Sequence, residues 1–105
     1  MDDVVLVLTT IGESDAAAFA SALIDERLAA CVNIHGPMRS TYRWKGTVEV
    51  ETEQQLVIKT VRGQLPALEK RLHELHPYEL PEFIVVAADQ VSDGYARWVG
   101  DETQR

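Results

Sequence analysis

Apolar positions along the chain change period several times, and each change marks the edge of an element. Val4-Val5-Leu6-Val7-Leu8 is an unbroken run of Val and Leu, the pattern of a strand buried on both faces. Gly12 closes it with a turn. From Ala16 the spacing becomes three and four. Ala16, Phe19, Ala20, Leu23, Ile24 and Leu28 form one broad stripe, which predicts a helix ending near Ala30. Ser14 is its expected N-cap, and Asp15 suits the positive end of the helix dipole.

Cys31 to Ile34 alternates in the manner of a strand. After an interruption at Gly36-Pro37, the β-rich stretch Ser40 to Trp44 resumes it, and Lys45-Gly46 predicts a hairpin turn. The returning strand has a period of two. Val48, Val50, Leu56 and Ile58 fall on one side, with Glu49, Glu51, Glu53 and Lys59 on the other. Residues 63–75 predict a second helix, with Pro66 in its first turn and Leu65, Leu68, Leu72 and Leu75 facing inward. Pro77 ends it, because the residue before a proline is pushed out of helical geometry. Phe83 to Ala88 is a fourth strand, apolar on both faces. A short helix around residues 93–99 presents Tyr95 and Trp98, and residues 100–105 are expected to fray.

This order, β-α-β-β-α-β with a terminal helix, defines an α+β chain of one domain over residues 1–105. Right-handed connections put the first two helices on one face of the sheet. The other face is then bare, yet the first and fourth strands carry no polar alternation. Five or six large apolar side chains would sit in water there. At about 1.5–3 kcal/mol for each one buried, that exposure rivals the whole stability of a small domain. A second layer is therefore expected from further copies of the chain.

Ten basic against seventeen acidic residues give a net charge of −7, which excludes the clustered basic surface that nucleic acid requires. The acidic start Met1-Asp2-Asp3 does not resemble an export signal, and no apolar run is long enough to span a bilayer, so a cytoplasmic protein is expected. Cys31 is the single cysteine and precludes an internal disulfide. Between Ala30 and Val32 it reads as a small buried hydrophobe. The six glycines are isolated, and no Cys-x-x-Cys, His-Glu-x-x-His or Gly-x-Ser-x-Gly motif occurs. No catalytic residue and no organic cofactor are predicted.

Distance limits what the possible metal ligands can do. Cys31 and His35 are about 13 Å apart along one strand and cannot share an ion. His73 and His76 are three apart, but His76 is already leaving the helix. Glu49, Glu51 and Glu53 form a ladder spaced by about 6.6 Å, wide for one ion, so pairing with basic side chains of neighbouring strands or subunits is the expectation.

Four segments carry a family resemblance: Arg27-Leu28-Ala29-Ala30-Cys31-Val32-Asn33-Ile34, Ser40-Thr41-Tyr42-Arg43-Trp44-Lys45-Gly46, Leu56-Val57-Ile58-Lys59-Thr60 and His76-Pro77-Tyr78-Glu79-Leu80-Pro81-Glu82. In this order they resemble the CutA family of divalent-cation tolerance proteins, over roughly Val4 to Trp98. The resemblance implies ferredoxin-like sandwich subunits in a homotrimer, each long hairpin reaching a neighbour through Tyr42 and Trp44. It also implies binding of divalent cations, Cu²⁺ first among them. Where relatives with a copper site have a cysteine, this chain has Thr9, and of their histidine pair only His76 remains as a metal ligand. Glu53 and Lys59 match family positions. With Trp44, Tyr78 and Glu82 they are expected to line a cleft between subunits. The family also resembles the PII signalling proteins, so the alternative is a signalling trimer that binds a small molecule in that cleft. A third alternative is a rigid anchor for other proteins.

Overall fold

The long strand pair dictates the shape of the molecule, which a computed structural model describes for residues 2–104. Strand β1 spans Val4–Ile11, helix α1 Glu13–Asp25, β2 Cys31–Trp44, β3 Thr47–Val61, α2 Leu65–Leu75, β4 Ile84–Ala87 and α3 Asp93–Glu102. The four strands form one sheet in the order β2-β3-β1-β4. Every neighbouring pair in it is antiparallel. The predicted element order is present.

Lys45 and Gly46 both take positive φ, 50° and 83°, so the two-residue loop between β2 and β3 twists with its strands. The interruption expected in β2 is a register shift between His35 and Met38. Gly36 stands there at φ 121°, and a Cβ would lie 3.1 Å from the Met38 nitrogen and 3.2 Å from the Glu53 carbonyl oxygen. Only glycine fits both the angle and the space.

Helices α1 and α2 lie together on one face. Ala16, Phe19 and Leu23 of α1 and Leu68 and Leu72 of α2 share a core with Val7, Ile11, Leu56 and Ile58. Arg71 clasps Glu26 with two hydrogen bonds of 2.8 and 3.1 Å, joining α2 to the end of α1. On the opposite face, α3 covers only one end, where Val99 packs against Val4 and Val61. Leu6, Leu8 and Val57 stay half-buried. Ile84 and Val86, opposite Leu8 and Leu6, are 49% and 41% exposed.

Several boundaries differ from expectation. Helix α1 ends at Asp25, five residues early, because Arg27 adopts φ 59° and the Leu28 N–H bonds back to the Leu23 carbonyl, a left-handed cap made without glycine. Gly12, not Ser14, holds the N-cap position of α1, with no side-chain cap. The first strand is not buried on both faces: its residues alternate between buried and half-buried from Val5 onward. Val48 and Val50 are exposed, because the outer half of the hairpin projects beyond both helices. The terminal helix is longer than expected, and of the tail expected to fray Arg105 lies outside the described residues. Helix α3 continues to Glu102, and the buried Thr103 hydroxyl donates to the Val99 carbonyl at 2.8 Å.

Candidate functional site

Two prolines force the chain to cross the end of the sheet after α2, and this crossing builds one wall of a concavity. His76 leaves the helix with extended backbone, φ −76° and ψ 134°, as Pro77 requires. The loop then runs past the end of β1 and faces the hairpin. A cleft of about 750 Å³ lies between them, lined by Thr10, by Tyr42 and Trp44 of β2, by Glu49, Glu51 and Glu53 of β3, and by Tyr78 to Glu82.

Glu53 is the floor of this cleft. It faces the polar side of β3 but is only 5% exposed, since the crossing loop covers it. The Tyr78 hydroxyl donates to its Oε2 at 2.6 Å, the short contact typical of a phenol and a carboxylate. Burial first, and then this bond and the Glu53 charge, push the Tyr78 phenol well above its usual range. Glu82 lies nearby with a buried Oε2 that has no partner among the described residues. Burial and the Glu53 charge raise its carboxyl. At the rim, Glu51 as acceptor and then as neighbouring charge, with Glu49 and Glu53, pushes Tyr42 up to about 12.

Behind the loop His76 is buried, its ring edge-on to Phe19 at 5.6 Å and to Tyr78 at 4.6 Å. Its Nε2 lies 2.8 Å from the Thr10 carbonyl oxygen, and its Nδ1 is 3.1 Å from the Tyr78 amide nitrogen. Burial lowers the basicity of the ring, against the opposing pull of the Thr10 carbonyl and Glu53.

Of the five residues expected in a cleft between subunits, Trp44, Glu53, Tyr78 and Glu82 line this concavity of a single chain. Lys59 does not line it within that chain. It stands six residues beyond Glu53 on β3, about 20 Å at the strand rise, with its ammonium 5.8 Å from the centre of the Tyr95 ring. The glutamate ladder finds no basic partner among the described residues. The rim cation, Lys45, pairs instead with Glu79 at 3.4 Å, and its ammonium lies 5.5 Å from the Trp44 ring centre. Cys31 is half-buried rather than buried, because it falls on the open face opposite Lys59. Thr9 is fully buried with its hydroxyl unpartnered among the described residues. Sequence reasoning missed the roles of Thr10 and Phe19: one acts through its backbone carbonyl, the other through a ring edge in the core, and neither leaves a residue-type signal.

Among the described residues, no three His, Cys, Asp or Glu side chains converge closely enough to hold a metal ion. Glu53 and Glu82 both line the cleft with hard carboxylate oxygens, and the Glu53 charge is felt at Glu82. No helix among the described residues is long and apolar enough to cross a membrane.

Comparison with known proteins places this geometry in a family. The chain is 40% identical over 103 residues to the divalent-cation tolerance protein CutA of Thermus thermophilus, covering 98% of this chain and 99% of that one. It is 37% identical over 97 residues to the mouse protein CutA, covering 92% of this chain and 55% of the longer relative. The structure superposes on the PII-like protein CutA from Nostoc sp. in apo form with a TM-score of 0.90 at 37% identity, covering 95% of this chain and 97% of the other. The family model for CutA1 divalent ion tolerance protein matches residues 4–102, and the chain therefore belongs to that family.

Proposed function

We propose that this protein works as a homotrimer in the response to divalent metal ions, binding the ion rather than turning over a substrate. Cu²⁺ is the first candidate. The observation that carries the cation reading is the carboxylate-walled cleft, where Glu82 has a buried oxygen with no partner among the described residues, beside the charge of Glu53. Such a pair is relieved by a positive charge. The described residues of one chain supply fewer donors than a divalent ion takes, so water or a neighbouring copy would complete the shell. Association of copies is supported by the apolar lining of the open sheet face, which a single chain leaves in solvent, and the number three comes from the family resemblance. A cytoplasmic location agrees with the free Cys31 thiol.

The second function, a PII-like trimer with a small-molecule ligand, is favoured by one feature: Tyr42, Trp44 and Tyr78 give the same cleft a partly aromatic wall. The PII-like relative from Nostoc supports it by fold. A thermal-shift screen separates the two. Cu²⁺ or Zn²⁺ should raise the melting temperature in wild type and not in a Glu53→Gln, Glu82→Gln double variant. Stabilisation by one class of metabolite with no response to either ion would replace the cation function with the second.

A further inference from the structure

We propose that His76 is a positioning residue, a two-ended clasp that holds the crossing loop against β1 and so fixes Tyr78 on Glu53, and that it is not a metal ligand. The partners settle the chemistry of the ring. The Tyr78 amide can only donate, so the Nδ1 that lies 3.1 Å from it must accept and carry no proton. The Thr10 carbonyl can only accept, so Nε2, 2.8 Å away, must carry the proton and donate it. The imidazole is therefore neutral in one tautomer. Both in-plane positions are used, and neither lone pair is free for an ion.

The geometry connects three layers. Phe19, in the core beneath α1, meets the edge of the His76 ring. The ring grips the backbone of Tyr78, and the Tyr78 hydroxyl reaches Glu53 at 2.6 Å. Coordination through either ring nitrogen would break one end of the clasp and free the loop. A cation in the cleft thus depends on His76 for the placement of the carboxylates, without contact to it.

The test uses the full chain as purified, labelled with ¹⁵N, and Zn²⁺ as a diamagnetic probe. Long-range ¹H–¹⁵N spectra resolve the ring nitrogens of His35, His73 and His76. The expected result at neutral pH is that His76 shows the signature of a protonated Nε2 and a bare, hydrogen-bonded Nδ1, and that a severalfold excess of Zn²⁺ leaves both shifts in place. Zn²⁺ shifts at other residues would bear only on the proposed function and would leave the clasp intact. A His76 in the opposite tautomer, or a ring nitrogen that moves to a metal-bound position on titration, overturns the inference. In a His76→Ala variant, amide exchange at Tyr78 should speed up by about fivefold, the loss expected for one hydrogen bond of ordinary net strength. Unchanged exchange at Tyr78 also overturns it.

Discussion

Removing the hydroxyl of Tyr78 tests whether the cleft floor is built as the geometry indicates. In Tyr78→Phe the ring stays edge-on to His76, but Glu53 Oε2 loses the donor that lies 2.6 Å away. Glu53 is 5% exposed, so water cannot replace that donor without displacing the loop. A hydrogen bond to a charged group is worth roughly 1.5–3 kcal/mol, and a phenol at this distance from a buried carboxylate belongs inside that range. The expected loss is about 2 kcal/mol. For a chain near 100 residues this lowers the melting temperature by roughly 8–16 °C, at about 4–8 °C per kcal/mol. Calorimetry at one fixed protein concentration measures it, since association of copies would otherwise move the transition. Glu53→Gln keeps an acceptor without the charge and should cost less than Tyr78→Phe. The double variant should be less damaging than the sum of the two, with a coupling of about 1 kcal/mol or more. A Tyr78→Phe protein within 0.5 kcal/mol of wild type, with no coupling, would refute the bond as a structural element.

Three further outcomes follow from single residues. Thr9→Val replaces a fully buried, unpartnered hydroxyl with a methyl and should stabilise the fold by about 1 kcal/mol, read from denaturant midpoints; destabilisation would show that the hydroxyl is satisfied. Gly36→Ala forces a Cβ onto backbone atoms 3.1–3.3 Å away at φ 121° and should cost about 1–3 kcal/mol, whereas a neutral result would contradict the local geometry of β2. Glu82 has its carboxyl raised in the folded state, so its protonated form stabilises the fold fully below the ordinary carboxylate value of 4.5. That contribution is lost as pH rises through the raised value. Melting temperatures of Glu82→Gln in chelator should match wild type near pH 4 and exceed it near pH 7, and a pH-independent difference would overturn the assignment.

The elements were legible because period and turn chemistry agreed over most of the chain. Lys45-Gly46 marked the hairpin, Pro77 the end of α2, and Leu68 and Leu72 the buried side of that helix. The end of α1 was not legible. Arg27 caps it in a left-handed conformation that residue type does not advertise, and the apolar stripe simply runs on to Leu28. Trp44, Glu53, Tyr78 and Glu82 share one concavity of the chain, because the proline-rich loop and the hairpin each display aromatic and acidic side chains. Within one chain Lys59 stands about 20 Å from Glu53 along β3, and the cleft expected between subunits needs a neighbouring copy to bring the two together. The burial of Glu53 depends on a loop 25 residues further along, and no local pattern on β3 encodes it.

The claim on which the functional account rests is that the open face formed by Leu6, Leu8, Val57, Ile84 and Val86 is covered by further copies of the chain. Light scattering of the purified protein at micromolar concentration measures this directly. The account predicts a mass three times the 11.7 kDa of one chain. A stable species of 11.7 kDa, with that face in solvent, would contradict it.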